Sequence, residues 1–260
     1  MKDDTLKNNG LVNDLYIQSF PTTSTVLPAL GLPWVSHLPG ITEKDQGVPL
    51  FEDQRIARLL GRINVNGKSV LELGPLEAGH SYMLEKAGAK VTGVEGNLQA
   101  FLKCLIVKNI YNLSATFLLG DFVTYLESSQ TPKYDVILAS GVLYHMPDPL
   151  RFLTALSMKS DMLFFWTHYY NRAKPRPEIK QKPEIILFQG KKIGYYLYSY
   201  IKTKSASFIG GMHPYSHWME RGCILKALSV LGYVSLEIFN ETPDHQNGPA
   251  FCVLAKRGKG

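Results

Sequence analysis

The sequence predicts one α/β domain with a doubly wound, mostly parallel, seven-stranded sheet that ends in an antiparallel hairpin. Short apolar runs alternate with segments of helical periodicity over residues 69–167, which is typical of βαβ crossovers. Two more apolar runs lie near the end of the chain, on either side of the turn-rich piece TPDHQNGP, and these predict the antiparallel pair. With 260 residues, 45% of them hydrophobic, the chain is long enough for one full core.

The periodicity and the turn residues set the expected elements. Strands are predicted at 69–73, 90–95, 115–119, 134–140, 161–167, 233–239 and 251–256. Helices are predicted at 51–62, 79–88, 97–109, 122–128, 149–158 and 217–231. Asn97 is the expected N-cap of its helix, and Gly88 and Gly232 are the expected helix stops.

Two segments fall outside this alternation. Residues 1–50 are rich in proline and glycine and are expected to form an N-terminal arm or cap on the domain of residues 51–260. Residues 171–216 form a basic, aromatic insertion. Its tyrosines at 195, 196, 198 and 200 are expected on an amphipathic helix packed against the domain, and stacking on nucleic-acid bases is the alternative.

Composition excludes several protein classes. The N-terminus has no apolar signal region, and no run is long enough to span a bilayer. The three cysteines are far apart and form neither a disulfide framework nor a metal pair. We therefore expect a cytoplasmic protein.

The net charge of +6 is concentrated in one place. Residues 171–206 hold nine lysines and arginines and two acids, which gives +7 and leaves about −1 for the rest of the chain. Such a segment is either a solvated insertion or a contact surface for an anionic substrate.

The strongest motif is VLELGPLEAGHS at 70–81, a strand, a glycine turn at Gly74 and a helix that opens at Gly79. In a doubly wound sheet this loop borders the ligand site. A dinucleotide loop would have a middle glycine, which is absent, and Glu77 is expected to repel a pyrophosphate. The loop therefore favours a ligand without phosphates.

Three further motifs follow in order. Glu95 ends the second strand and is suited to accept hydrogen bonds from both ribose hydroxyls of an adenosine, and the same carboxylate would serve NAD. Asp121 and Phe122 follow the third strand, where an acid and a ring suit an adenine. DVILASGVLYHMPDP at 135–149 runs from a buried strand into an aromatic loop.

In this order and spacing, ELGPLEAGH, GVEGN, GDF and ASGVLYHMPDP resemble the successive motifs of class I S-adenosylmethionine (SAM)-dependent methyltransferases, over roughly residues 65–170 and the closing helix and hairpin. Pro75 departs from the usual glycine-rich run. The piece GVLYHMPDP is also similar to a loop of the tRNA wobble-uridine modifying transferases.

The resemblance implies SAM as cofactor and assigns roles by motif. The first loop would cradle the methionine part, Glu95 the ribose, Asp121 and Phe122 the adenine, and the fourth loop would border methyl transfer. The predicted cofactor-binding residues are Glu72, Gly74, Pro75, Gly79, His80, Glu95, Gly96, Asn97, Asp121, Phe122, Ser140, Gly141 and Tyr144.

The catalytic candidates are His145, His168 and Tyr144, because they follow the fourth and fifth strands at the mouth of the expected site. His213 and His217 have a spacing that suits a metal on a helix, but the glycines and proline around them argue against one, so no metal site is predicted.

The sequence therefore predicts transfer of a methyl group from SAM to an acceptor, with a small molecule favoured. The alternatives are a tRNA-modifying methyltransferase that uses residues 171–206, an NAD(P)-dependent oxidoreductase, and a non-catalytic nucleic-acid-binding module on the same fold.

Overall fold

The structure, a computed structural model, describes residues 17–27, 31, 33–42, 47–200 and 211–258. A seven-stranded sheet forms the centre of the fold. Its strands are β1 (Ser69–Leu73), β2 (Lys90–Glu95), β3 (Thr116–Leu119), β4 (Val136–Ser140), β5 (Met162–His168), β9 (Tyr233–Thr242) and β10 (Ala250–Arg257). Their order in the sheet is β3-β2-β1-β4-β5-β10-β9. The first five strands are parallel, and β10 pairs antiparallel with β5 and β9. The predicted fold is confirmed.

Helices cover both faces of this sheet. They are α1 (Gln54–Leu60), α2 (Gly79–Lys86), α3 (Leu98–Tyr111), α4 (Phe122–Glu127), α5 (Pro149–Lys159) and α6 (Arg221–Val230). Side chains of α1, α2 and α3 pack in the core on one face. Those of α4, α5 and α6 pack on the other. Burial of both faces explains why the strands read as nearly continuous apolar runs.

Local capping explains where these helices begin and end. Asn97 accepts a hydrogen bond from the backbone N–H of Ala100, and Asp121 accepts one from Val123, so both cap a helix N-terminus. Gly88 and Gly232 follow helix ends with φ of 87° and 92°, the left-handed region that glycine enters without steric cost. The predicted cap and stops are confirmed.

The segment 171–216 differs from its prediction. It contains β6 (Glu184–Phe188) and β7 (Lys191–Ser199), which form a second, antiparallel sheet with β8 (Tyr215–Trp218). The tyrosine stretch is therefore a strand, and the amphipathic helix expected there is wrong. The helix predicted at 217–231 begins only at Arg221, because its first residues belong to β8.

The reason is a two-residue hairpin between β6 and β7. Gln189 and Gly190 have φ of 45° and 77°, and positive φ at both positions is the backbone of a tight β-hairpin turn. Cross-strand pairing then fixes the tyrosines on a strand. Tyr195, Tyr196 and Tyr198 are buried as predicted, and Lys202 and Lys204 lie outside the described residues.

An ion pair joins the N-terminal segment to the main domain. Glu77 is fully buried and accepts hydrogen bonds from the backbone N–H groups of Val35 (2.9 Å) and Ser36 (2.7 Å). The Lys103 ammonium lies 2.7 Å from the same carboxylate. Residues 33–36 are thus held over α3 by a charge pair that is shielded from solvent.

Removal of one partner of this pair should be costly. We expect Glu77→Ala to lower the free energy of unfolding by about 3–5 kcal/mol, because it leaves the Lys103 charge buried and unpaired. The double variant Glu77→Leu/Lys103→Met should recover only the part that comes from the unpaired charge, because the N–H groups of Val35 and Ser36 still lose their acceptor. Urea denaturation measures both.

The matched control is Glu237→Ala, which breaks the part-exposed pair with Arg62 and should cost less than about 1 kcal/mol. Equal losses for Glu77→Ala and Glu237→Ala would contradict the role given to the buried pair.

Candidate ligand site

A cavity of about 500 Å³ lies at the carboxyl ends of the parallel strands, next to the point where the strand order reverses between β1 and β4. Doubly wound sheets bind ligands at this position. Of the predicted cofactor-binding residues, those that line it are Gly74, Pro75, Gly79, His80, Glu95, Gly96, Asn97, Asp121, Phe122, Ser140, Gly141 and Tyr144. The four sequence motifs therefore meet around one space.

The loop after β1 has an unusual backbone. Gly74, Leu76 and Ala78 have φ of 65°, 56° and 57°, and the last two are residues that seldom adopt the left-handed region. Such strained residues cluster at ligand sites. Gly79 is required for packing, since a Cβ there would lie 2.7 Å from the backbone of Leu50.

Three N–H groups of this loop already donate hydrogen bonds within the protein, and a fourth residue has no N–H to offer to a ligand. Gly74 donates to the carbonyl of Val94 (2.9 Å), Ala78 donates to the carbonyl of Pro75 (2.8 Å), and Pro75 itself has no N–H. Leu76 donates to a Glu95 carboxylate oxygen at 3.0 Å. These N–H groups are therefore bonded within the protein, whereas the N-terminus of α2 at Gly79 has no side-chain cap.

The argument from Glu77 against a pyrophosphate is wrong. Its carboxylate is directed away from the cavity and paired with Lys103 and the N-terminal segment.

Glu95 joins two of the loops. One carboxylate oxygen accepts the Leu76 N–H, and the other accepts the Asn97 N–H at 2.8 Å. Burial raises the pKa of Glu95, although the backbone hydrogen bonds act in the opposite direction. Each oxygen keeps a lone pair for a further donor, and the residue lines the cavity. The carboxylate can therefore accept hydrogen bonds from a ligand diol.

Asp121 has both a structural and a cavity-facing position. It caps α4 through the N–H of Val123 (2.8 Å) and accepts the hydroxyl of Thr124 (2.9 Å). Phe122 is buried beside it. Both residues line the cavity on the β3 side, so an acid and a ring stand together there.

Glu72 lies beneath the loop rather than on the cavity wall. It is buried, accepts the hydroxyl of Ser81, and lies 3.5 Å from Nδ1 of His80. Nε2 of His80 lies 2.9 Å from the Asp53 carboxylate, which also binds Nε of Arg55 at 3.0 Å. Four ionisable side chains thus form one network under the first loop.

This network shifts the protonation of its members. Burial alone would lower the pKa of His80, but the hydrogen bonds and charges of Asp53 and Glu72 outweigh it and raise that pKa. Burial would raise the pKa of Asp53, but His80 and Arg55 hold it well below its usual range.

The loop after β4 forms the opposite wall. Its short 3₁₀ turn, Leu143–His145, brings Tyr144 and His145 to the cavity. The Tyr144 ring packs edge-on against Trp166 at 6.1 Å. Nδ1 of His145 lies 2.6 Å from the Tyr200 hydroxyl. Burial lowers the pKa of His145 to about 4, and the nearby His168 adds to this.

His168 is placed differently from His145. It is buried, is outside the cavity wall, and donates from Nδ1 to the carbonyl of Gly248 at 2.8 Å. Its ring is stacked on Trp218 at 5.4 Å. Burial lowers its pKa to about 4. The centroids of the His168 and Tyr144 rings are 4.7 Å apart. His168 therefore packs against Tyr144 from outside the cavity.

Several wall residues were not found by sequence reasoning. Arg55 and Leu50 reach the cavity from the N-terminal side, and Trp166, Met212 and His213 reach it from β5 and the second-sheet side. The Arg55 guanidinium lies 4.4 Å over the Trp166 ring. These contacts join segments far apart in the chain, so no local motif indicates them. His217 donates from Nδ1 to the carbonyl of Pro147 (2.6 Å), outside the wall.

The basic segment is partly neutralised. Arg172, Lys174 and Arg176 pair with Glu220, Asp244 and Glu178 respectively. Lys180, Lys182, Lys191 and Lys192 are exposed. Because three of the four tyrosine rings are buried, they are not available to stack on bases.

Within the described residues, no helix is both long and apolar enough to cross a bilayer.

Known structures share this architecture. The N-terminal domain of EvdMO1, solved in the presence of SAH (S-adenosylhomocysteine) and D-fucose, matches with a TM-score of 0.68 at 20% identity, over 87% of this chain and 92% of that one. A magnesium protoporphyrin IX methyltransferase from Synechocystis PCC 6803 with bound SAM matches with a TM-score of 0.51 at 17% identity, over 78% and 76%. The chain has the class I SAM-dependent methyltransferase fold.

The chain is also similar in sequence to a known transferase. A tRNA U34 carboxymethyltransferase of Dichelobacter nodosus (strain VCS1703A) is 32% identical over 139 residues, which cover 51% of this chain. The match spans only 42% of that relative's length. No protein-family model matches the chain.

The His80 network should make stability depend on pH in a defined direction. A raised pKa gives a stabilising contribution that is complete below the unfolded pKa of about 6.5 and is lost as pH rises through the folded value. We therefore expect His80→Gln to destabilise the protein more at about pH 6 than at about pH 9.

Urea denaturation at both pH values measures this difference. Asp53→Asn serves as the matched variant, since it removes the main partner of His80 and should flatten the same pH dependence. A His80→Gln effect that grows with pH would contradict the assigned protonation.

Proposed function

We propose that the protein binds SAM in this cavity and transfers its methyl group to a small-molecule acceptor. The observation that carries the proposal is the joint position of the strained Gly74 loop, the Glu95 carboxylate and the Asp121–Phe122 pair around one space. Its volume of about 500 Å³ is within the range of small-molecule sites.

The residues fit this cofactor. Glu95 keeps lone pairs for the two ribose hydroxyls, Asp121 and Phe122 offer an acceptor and a ring for the adenine, and the Gly74 loop would hold the methionine part. When bound, the sulfonium supplies an already activated methyl group. The protein must then align the acceptor and exclude water, and Tyr144 and Trp166 form the wall suited to that task.

The ion pairs and buried tyrosine rings of the basic segment favour a small acceptor over RNA. Half-buried or exposed ion pairs occupy three of its cations, and the rings of Tyr195, Tyr196 and Tyr198 are buried. Among the described residues of this segment, these three cations and three rings are therefore not available for the phosphate contacts and base stacking that single-stranded RNA binding uses.

The cofactor is tested by isothermal titration of the protein with SAM, SAH and NADH. We expect SAM and SAH to bind and NADH not to bind, and we expect Glu95→Ala to weaken SAM binding at least tenfold. That factor equals about 1.4 kcal/mol, a modest value for lost hydrogen bonds to a charged group.

Glu237→Gln, far from the cavity on β9, is the matched control and should bind like the wild type. NADH binding in place of SAM would contradict the proposal and favour the oxidoreductase alternative.

A tRNA acceptor is the second candidate, because the 32% identical relative is named for tRNA U34. The exposed Lys182, Lys191 and Lys192 would be its contacts. The small-molecule proposal predicts that tRNA binding is weak. It also predicts that the triple variant Lys182→Gln/Lys191→Gln/Lys192→Gln leaves this binding unchanged.

Filter binding of tRNA over a range of salt concentrations decides the point. A tRNA enzyme would show a steep salt dependence, and the triple variant would reduce the slope by about 0.7–0.9 for each lysine. Tight, salt-dependent binding with no methyl transfer to the tRNA would favour the non-catalytic module.

A further inference from the structure

A hydrogen-bonded chain leads from the cavity into the second sheet. His145 lines the cavity, and its Nδ1 lies 2.6 Å from the hydroxyl of Tyr200, the residue that follows β7. The Tyr200 hydroxyl donates to Oγ of Ser216 at 3.1 Å. Ser216 is on β8 and is fully buried. Tyr200 at the end of β7 and Ser216 on β8 are thus connected to His145 by hydrogen bonds.

The direction of this chain fixes the histidine tautomer. A tyrosine hydroxyl has one proton to donate, and that proton is directed to Ser216. The contact between Tyr200 and His145 therefore requires that Nδ1–H donate to the tyrosine oxygen. In a neutral ring, Nε2 is then the unprotonated nitrogen. In the part of the chain that the structure describes, no hydrogen bond occupies that Nε2.

The surroundings keep the ring neutral and in place. The centroid of the His145 ring lies 4.1 Å from that of Tyr144 and 5.9 Å from that of Tyr200. Its backbone is packed against Gly211, where a Cβ would lie 2.8 Å from the His145 carbonyl oxygen. Burial lowers its pKa to about 4, so the ring is unprotonated at neutral pH.

We propose that Tyr200 and Ser216 are positioning residues that hold His145 as the Nδ1-protonated tautomer, with Nε2 ready to accept a proton from a hydroxyl group of the methyl acceptor. This inference rests on the proposed function and adds the class of acceptor. Neither Tyr200 nor Ser216 lines the cavity, so both act through His145.

The reaction balances with this single base. The acceptor oxygen forms a bond to the methyl carbon as the bond from that carbon to sulfur breaks, and the electron pair of the broken bond stays on sulfur. The hydroxyl proton passes to Nε2 of His145 and then to solvent. The products are a methyl ether and S-adenosylhomocysteine, and no other reactant is needed.

The test is the tautomer of His145, read by long-range ¹H–¹⁵N NMR on histidine-labelled protein at neutral pH. The His145→Gln spectrum assigns the signal, and His168 and His217, which both donate from Nδ1 to carbonyls, are internal references. We expect wild-type His145 to carry its proton on Nδ1.

Two variants then test the positioning role. Tyr200→Phe removes the acceptor of the Nδ1 proton and should move the His145 proton to Nε2, because a buried N–H without a partner is costly. Ser216→Ala removes the acceptor to which the Tyr200 hydroxyl donates, so the Nδ1-protonated form of His145 should lose population to the Nε2-protonated form. Tyr198→Phe, on the same strand with its ring stacked on Trp218, is the matched control and should leave the tautomer unchanged.

An Nε2-protonated or charged His145 in the wild type would overturn the inference, as would an unchanged tautomer in both Tyr200→Phe and Ser216→Ala. Titration of the same samples with SAH separates this outcome from failure of the proposed function. If SAH does not bind the wild type, the proposed function fails, whereas normal SAH binding with the wrong tautomer refutes only the role of Tyr200 and Ser216.

Discussion

The geometry of the site depends on one buried carboxylate. Glu95 accepts N–H groups from the loop after β1 and from the loop after β2, so it fixes two walls of the cavity relative to each other. Burial raises the pKa of Glu95. The same burial strengthens a hydrogen bond from a ligand to this carboxylate, because water competes poorly there. A site built this way favours a ligand with a vicinal diol.

The central part of the fold follows closely from the sequence, and physical reasons explain why. The strands of the parallel sheet are buried on both faces, so they appear as short apolar runs, and β1 and β2 begin and end at the predicted residues. Helix ends are set by local chemistry, as at Asn97 and Gly88. Local signals suffice where the determinants are local.

Prediction failed where partners distant in sequence decide the structure. The tyrosines of β7 have a spacing compatible with a helix, and only pairing with β6 and β8 makes them a strand. Glu77 has the position of a loop acid but is bound by Lys103 and the N-terminal segment. Arg55 enters the cavity through contacts with Asp53 and Trp166, which no motif indicates.

The two segments outside the alternating core both reach the cavity. Leu50 comes from the N-terminal segment, and Gly211, Met212 and His213 come from the region before β8. The loops of the core strands therefore supply the cofactor-type motifs, and the added segments complete the lining. This division explains why the sequence indicates the cofactor more clearly than the acceptor.

A crystal structure of the protein grown with S-adenosylhomocysteine tests the central claim most directly. The account predicts density for the ribose hydroxyls on Glu95, for the adenine beside Asp121 and Phe122, and for the amino-acid end at the Gly74 loop. Well-ordered ligand elsewhere on the surface, or the same ligand in this cavity without contact to Glu95, would contradict it.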